Sequence, residues 1–157
     1  MLGITAAGHS DAAPFAELDA LYSQIFSLVL KDHLSRALEI LGFALLVDLA
    51  GCDANYLTGR MIETILSYPH GDLQLNLMDL HSVLHVPVIK AEDDEDEDNE
   101  ENKLRFFHAS LQDFLFDPSR SKDFYIDRSK AHTRIAQHFL RYIHEYRPGS
   151  EDRSSCK

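Results

Sequence analysis

Residues 56–89, YLTGRMIETILSYPHGDLQLNLMDLHSVLHVPVI, contain the change of pattern that decides the fold. Apolar side chains recur at helical spacing over 56–66, which predicts an amphipathic helix with Asn55 as its N-cap. Pro69 and Gly71 then form a turn, because proline cannot continue a helix and glycine accepts a positive φ. The segment therefore begins as a short helix that stops at a tight turn.

A second short helix is predicted after the turn, over 72–84, with Asp72 as its N-terminal cap. Its inner face consists of four leucines, Leu73, Leu77, Leu80 and Leu84. Two short helices joined by a glycine-containing turn are typical of a helix-turn-helix pair. The second helix is then the candidate recognition helix for DNA.

The next segments predict the two strands of a β-hairpin, which is the wing of the fold. Residues 85–89 are rich in β-branched side chains, and residues 104–108 follow a two-residue period. Nine of the ten residues over 92–101 are acidic, and adjacent carboxylates repel one another and bury nothing. We therefore predict a disordered acidic wing loop over 91–102, with docking of other proteins through this loop as the alternative.

Helical patterns lie on both sides of this central region. An apolar stripe predicts a helix that begins at Glu17, and residues 34–47, apolar on nearly every side, predict a central buried helix. Further along the chain, Ser110 and Asp113 resemble a capping box that opens a short helix over 111–116. Residues 124–126 are a candidate third strand.

The C-terminal part of the chain predicts one long helix with Asp127 as its cap. Its expected apolar stripe consists of His132, Ile135, Ala136, Phe139, Leu140 and Ile143. The predicted fold is mainly α, a winged-helix-like bundle with a small β-hairpin wing and a long C-terminal helix. We divide it into a flexible lead-in (1–16), a winged-helix-like domain (17–127), a C-terminal helix (128–147) and a tail (148–157). That helix either packs on the domain or starts a helical domain.

Composition narrows the class of protein. The 157 residues carry a formal charge of −11, but the 17 acidic residues outside the acidic run nearly balance the 15 basic ones. An acidic chain whose predicted recognition helix has no Lys or Arg is an unlikely nucleic-acid binder. Two distant cysteines fit neither a disulfide scaffold nor a zinc module, and the apolar run over 40–47 is too short for a membrane span. We therefore expect a cytoplasmic protein with free thiols and no membrane partner.

Catalytic motifs are missing from the sequence. The seven glycines form neither a phosphate-binding P-loop nor a G-x-S-x-G nucleophile elbow. His81 and His85 have the i, i+4 spacing of metal ligands, and His108 could join them across the hairpin. The pair lacks the glutamate of H-E-x-x-H, so ordinary histidines are the preferred interpretation and a metal-dependent enzyme is the least favoured one. We predict a chain with no catalytic residues, no metal and no cofactor of its own.

Two sequence stretches together point to a family: LHSVLHVP over 80–87, and FHASLQDFLFDPSRS over 107–121. They resemble the region that follows the NACHT nucleotide-binding domain in fungal, basidiomycete-type STAND signal-transducing NTPases. There the pattern reads L-H-S-V-L, H-A-S-F-x-D-F-L and D-P-x-R-S, and the resemblance covers about residues 18–142. Leu111 stands where the family usually has phenylalanine.

The resemblance implies a winged-helix regulatory region that packs against a nucleotide-binding motor and controls its ADP/ATP state. The chain has no Walker A or Walker B motif, so ADP or ATP is expected only with a neighbouring NTPase domain, in cis or in trans. By position, His108 is the candidate sensor of a nucleotide phosphate. In the alternative, His108 bonds a backbone carbonyl and locks the hairpin to the next helix. The remaining motif residues have interaction or structural roles: His81, Ser110, Asp113, Phe114 and Leu115. A winged-helix nucleic-acid binder remains the alternative function.

Overall fold

The computed structural model describes residues 15–49, 57–87 and 100–145. In these residues the chain is mainly helical, with one small antiparallel sheet and a long C-terminal helix, as predicted. The elements are α1 (Ala16–Leu28), α2 (Lys31–Leu49), α3 (Gly59–Leu66), α4 (Asp72–Leu77), β1 (Leu84–His85), β2 (Arg105–Phe106), α5 (Ser110–Leu115), α6 (Pro118–Ser121) and α7 (Arg128–Glu145). The predicted lead-in and tail lie outside the described residues, except for Phe15, the N-cap of α1, and Ala16, its first residue.

Helix α2 is the centre of the core, because its side chains are buried on several sides. Its residues Ile40, Leu41 and Phe43 are almost completely inaccessible to solvent. Helix α1 packs its Tyr22 and Phe26 into the same core. The prediction of a central buried helix is therefore confirmed, and α2 extends beyond both of its predicted ends.

Helix α3 starts three residues later than predicted, at Gly59. Its N-cap is Thr58, whose Oγ1 accepts a hydrogen bond from the Met61 N–H at 3.2 Å. The predicted cap, Asn55, lies outside the described residues. After α3 the chain turns through two left-handed positions, Ser67 at φ 56° and Gly71 at φ 89°, so the predicted turn is confirmed.

The N-terminus of α4 is capped by Glu63 of α3, and not by Asp72 as predicted. Glu63 is 4% exposed, and its Oε1 accepts hydrogen bonds from the N–H groups of Gly71 (2.9 Å) and Leu73 (3.0 Å). Asp72 instead accepts a hydrogen bond from the Arg36 guanidinium at 2.6 Å. A carboxylate from the preceding helix thus fixes the turn between α3 and α4.

The β-hairpin is present but short. Leu84 pairs with Phe106 and His85 with Arg105. Leu84, predicted as the last leucine on the inner face of the second helix, therefore belongs to strand β1 instead. Helix α4 itself ends at Leu77 and continues as a 3₁₀ turn over Met78–Leu80. A 3₁₀ turn also covers Glu100–Asn102, the last three residues of the predicted acidic loop. The rest of the predicted acidic loop lies outside the described residues.

Two predictions about the segment after the hairpin are wrong. Ser110 makes no capping hydrogen bond to α5, whose N-cap is Ala109. The candidate third strand over 124–126 is also absent from the described structure, because Lys122–Phe124 forms a 3₁₀ turn. The Ile126 N–H instead donates to the Leu115 carbonyl at 2.8 Å, and the Ile126 side chain is buried against the core.

Helix α7 packs on α2 and α3, the first of the two predicted arrangements. Asp127 caps it as predicted, because its Oδ1 accepts from the N–H groups of Ser129 (2.9 Å) and Lys130 (3.2 Å). The half-buried inner face of α7 consists of Ala131, Ile135, His138 and Tyr142. This face is rotated by about 100° about the helix axis from the centre of the predicted apolar stripe. Leu140 and Ile143 of that stripe are 68% and 61% exposed.

Candidate functional site

A chain of hydrogen bonds connects the core to His108 at the surface. The Tyr22 hydroxyl lies 2.8 Å from Ser110 Oγ, which lies 2.7 Å from His108 Nδ1. The Ser110 N–H also donates to His108 Nδ1, at 3.3 Å. Nδ1 is therefore an acceptor, which assigns the ring proton to Nε2 and directs the Ser110 hydroxyl toward Nδ1. Tyr22 in turn donates to Ser110.

This relay combines a buried support with an exposed end. Tyr22 and Ser110 are buried, whereas His108 is exposed. The predicted alternative was that His108 bonds a backbone carbonyl and so locks the hairpin to the next helix. The structure shows a bond to that helix, but the partner of the imidazole is the Ser110 side chain and not a carbonyl. The hairpin is tied to α5 through Ser110 and to α1 through Tyr22. Among the described residues no hydrogen bond of His108 Nε2 is seen, so this N–H is a candidate donor to an external acceptor.

The other residues of the H-A-S-L-Q-D-F-L segment divide between core and surface. Phe114 and Leu115 are fully buried. The Phe114 ring centroid lies 5.3 Å from that of Tyr22 and 6.4 Å from that of Phe26. Asp113 is exposed. The motif thus anchors α5 on α1 and leaves His108, Ala109 and Asp113 exposed to a partner.

The D-P-S-R-S segment forms a tight corner at α6. Asp117 caps this helix, since its Oδ1 accepts from the Ser119 N–H (2.8 Å) and hydroxyl (2.6 Å). These hydrogen bonds lower the pKa of the Asp117 carboxyl. The Ser121 hydroxyl donates to the Asp117 carbonyl at 2.9 Å, so both serines of the motif stabilise the same turn.

Arg120 connects this corner to α1 through a bidentate ion pair. Its Nε and Nη2 donate to the two carboxylate oxygens of Asp19 at 3.0 and 2.7 Å. Both side chains are only about one-fifth exposed, and the hydrogen bond to Asp19 raises the pKa of Arg120. Local sequence patterns gave no sign of this pair, because its partners are 101 residues apart.

We expect Arg120→Ala to lower the free energy of unfolding by about 1–2 kcal/mol, because a partly buried, bidentate pair is lost. Urea unfolding followed by circular dichroism measures this change. A double-mutant cycle with Asp19→Ala is the control, and the two losses should be less than additive. Additive losses would show that the pair contributes no coupling energy.

The three histidines of the metal hypothesis do not form one site. His85 Nε2 lies 3.2 Å from the Glu101 carbonyl, His108 bonds Ser110, and His81 is exposed. Over residues 15–49, 57–87 and 100–145, no group of three or more His, Cys, Asp or Glu side chains could hold a metal ion. These contacts give the metal hypothesis no support.

The candidate recognition helix presents apolar side chains to solvent. Leu75 of α4 and Met78 of the following turn are 49% and 51% exposed. Phe107, next to His108, is 60% exposed. Its N–H donates to the Val83 carbonyl at 3.1 Å, and exposed His81 is two residues before Val83 in the sequence. Met78, His81, Phe107 and His108, which we name the hairpin edge, thus lie on neighbouring segments. These side chains include large apolar groups and no Lys or Arg, so they are better suited to bind another protein than the phosphate backbone of a nucleic acid.

Comparisons with protein-family models, with curated proteins and with solved structures gave no match. Within the described part of the chain, every helix is too short or too polar to cross a membrane. Three features of the folded chain bear on its function: the hydrogen-bond relay to His108, the corner at α6 and the exposed hairpin edge.

Proposed function

We propose that the chain is a non-catalytic regulatory module of a STAND-type signalling NTPase. It packs against a NACHT-type nucleotide-binding domain, in cis or in trans, and controls the ADP/ATP state of that domain. The observation that carries the proposal is the exposed imidazole of His108 on its buried Tyr22–Ser110 support. The sequence resemblance over about 18–142 supplies the class of partner, and the proposal implies a cytoplasmic protein.

In this mechanism His108 recognises a phosphate oxygen of bound ADP. Because Ser110 keeps Nδ1 as an acceptor, Nε2 carries the proton and can donate to the phosphate. A hydrogen bond to a charged acceptor contributes about 1.5–3 kcal/mol. That contact favours the closed arrangement of the two domains, and loss or exchange of ADP shifts the population toward the open one.

The hairpin edge supplies the apolar part of the same contact. Met78 and Phe107 are more than half exposed, and large aromatic and methionine side chains are enriched in protein interfaces. Residues 72–80, which form the candidate recognition helix and its 3₁₀ turn, contain two aspartates and no Lys or Arg. This composition favours a protein partner over the alternative of nucleic-acid binding.

We expect His108→Ala to speed ADP release from the complex by about 10-fold to 100-fold, the factor that corresponds to one charge-assisted hydrogen bond. The tagged protein is purified from its own cells together with the domain that carries a Walker A motif, whether this domain belongs to the same polypeptide or to an associated protein. Release of a fluorescent ADP analogue from this complex is then timed. His132→Ala replaces an exposed histidine of α7 outside the hairpin edge, so it is the matched control and should leave release unchanged.

Two results would overturn the proposed function. One is a purified protein in which neither the tagged polypeptide nor any associated protein carries a Walker A motif. The other is equal ADP release from the original protein and from His108→Ala. Tight DNA binding that weakens steeply with added salt would favour the alternative, a winged-helix nucleic-acid binder.

A further inference from the structure

A groove lies between α2 and α7, away from the relay to His108. It has a volume of about 290 Å³. Its apolar lining includes Leu38, Phe43 and Leu66, together with Ile126 and Ile135. Gly42 lets the chain approach closely here, because a Cβ at this position would lie 3.2 Å from Ile126 Cγ2. The groove is thus an apolar depression that one bulky side chain could enter.

The polar wall of the groove is centred on Glu39, which is already engaged by several donors. Its Oε2 accepts a hydrogen bond from the Tyr68 hydroxyl at 2.5 Å. Its Oε1 lies 3.5 Å from His138 Nε2 and 3.6 Å from Arg134 Nη1. Burial, and then the hydrogen bond to Glu39, raise the pKa of Tyr68, so the phenol remains a donor. This carboxylate therefore has little capacity left to attract a cationic ligand.

One flank of α7 carries a row of cations, of which Lys130 and Arg134 line the groove and Arg141 continues the row beyond it. Lys130, Arg134 and Arg141 are separated by four and seven residues, which places them on the same side of the helix. Lys130 is 83% exposed and Arg134 is 61% exposed. Arg141 Nη2 donates to His138 Nδ1 at 2.6 Å, which draws its guanidinium toward the groove. We name these three residues the cation row.

We propose that this groove binds an extended acidic peptide of a partner protein, with one bulky apolar side chain in the groove and carboxylates along the cation row. Charge complementarity carries the assignment. The chain as a whole has a charge of −11, whereas α7 has four Arg or Lys residues and a single Glu. Glu39 lies 3.6 Å from Arg134 and also accepts from Tyr68, and Asp127 lies 3.7 Å from Lys130 and also caps the N-terminus of α7. Each carboxylate is thus shared with a second donor, and both cations remain mostly exposed. The site goes beyond the proposed function and uses a different face of the molecule.

The length of the cation row decides between a peptide and a small anion. Eleven residues of helix separate Lys130 from Arg141, which corresponds to about 16 Å. A single carboxylate cannot reach all three cations, whereas about five residues of extended peptide span that distance. Of the two phenyl or phenol rings in the lining, Phe43 is buried and only Tyr125 is exposed, so the groove lacks the series of aromatic rings on which successive bases stack, which disfavours single-stranded nucleic acid.

Fluorescence anisotropy with the full chain tests the proposal. The probe is a fluorescein-labelled heptapeptide with a central phenylalanine and three acidic residues on each side. We expect saturable binding in dilute buffer that weakens by about tenfold in ~0.5 M salt. Replacing the phenylalanine of the probe with serine, or its acidic residues with lysine, should weaken binding by about tenfold or more.

Two kinds of variant locate the binding site. The double change Lys130→Glu and Arg134→Glu reverses the cation row, and Ser35→Phe fills the rim of the groove without touching a cation. Each should weaken binding of the probe by about tenfold or more. Arg128→Glu is the matched control, because this residue of the same helix stacks on Phe116 at 4.3 Å, away from the row. Circular dichroism verifies that every variant is folded.

Several outcomes would overturn the proposal. These are no saturable binding of the acidic probe, equal binding of the lysine probe, or equal weakening by Arg128→Glu. Tighter binding of a fluorescein-labelled oligothymidylate than of the peptide would reassign the groove to single-stranded nucleic acid. Because none of these readouts involves ADP, this result is independent of the test of His108.

Discussion

Replacing Phe114 with alanine is expected to lower the free energy of unfolding by about 3–5 kcal/mol. The ring is fully buried and packs between Tyr22 and Phe26 of α1, with its centroid 5.3 and 6.4 Å from theirs. Its removal leaves a cavity where α5 contacts α1, and a close-packed core relaxes only partly around such a cavity. Urea unfolding followed by circular dichroism gives the change directly.

Phe139→Ala is the matched control for this experiment. Phe139 lies on α7, is 38% exposed, and its ring centroid is 6.2 Å from that of Phe43. The same truncation there should cost only about 1–2 kcal/mol, because the Phe139 ring buries less apolar surface in the folded protein than the Phe114 ring does. Equal losses for Phe114→Ala and Phe139→Ala would contradict the assignment of Phe114 to the centre of the core.

Replacing Glu63 with alanine should cost about 2–4 kcal/mol, because the N–H groups of Gly71 and Leu73 lose their common acceptor. The carboxylate is 4% exposed, so water does not readily replace it. Thermal and urea unfolding measure the loss, with α4 and the adjoining turn as the affected region.

Two variants separate the capping role of Glu63 from general disruption. Glu63→Gln keeps an oxygen acceptor at this position and should cost less than half as much as Glu63→Ala. Asp72→Ala removes the cap that local sequence rules predict and should cost less than about 1 kcal/mol, because its partner Arg36 is half exposed. A larger loss for Asp72→Ala than for Glu63→Ala would restore Asp72 as the principal cap.

Local patterns predicted most of the architecture. The stripe on α1, the apolar α2, the turn at Gly71 and the cap at Asp127 are all signals within a few residues of the chain, and each is confirmed. The capping assignments failed where a more distant group competed. Glu63 displaced Asp72, and Ser110 bonds Tyr22 and His108 instead of capping α5.

The face of α7 shows why periodicity alone was insufficient. Its apolar stripe contains Phe139, Leu140 and Ile143, yet the helix turns His138 and Tyr142 inward. Glu39 attracts His138 and Arg134, and Gly42 allows Ile126 and Ala131 to approach α2 closely. Both features belong to α2, so no pattern within α7 reveals them.

The candidate site was predictable only in part. Family resemblance singled out His108, but its supporting Tyr22 is 86 residues earlier in the sequence and belongs to a pattern that indicates only a helix. The D-P-S-R-S motif is visible in the sequence, but its contact with α1 is not, because the ion pair of Arg120 with Asp19 forms only when the chain has folded. Long-range pairs of this kind leave no trace in local spacing.

The contacts of α1 also determine when the protein can fold during its synthesis. Tyr22 meets Ser110 and Asp19 meets Arg120 across separations of 88 and 101 residues. Ribosomes add about 5–20 residues per second, so α1 precedes its partners by roughly 5–20 s. Throughout that interval the apolar face of the nascent helix lacks the α5–α6 corner that finally covers it. The folding of α1 is therefore completed only after α5 and α6 have been synthesised, and molecular chaperones have several seconds in which to bind it.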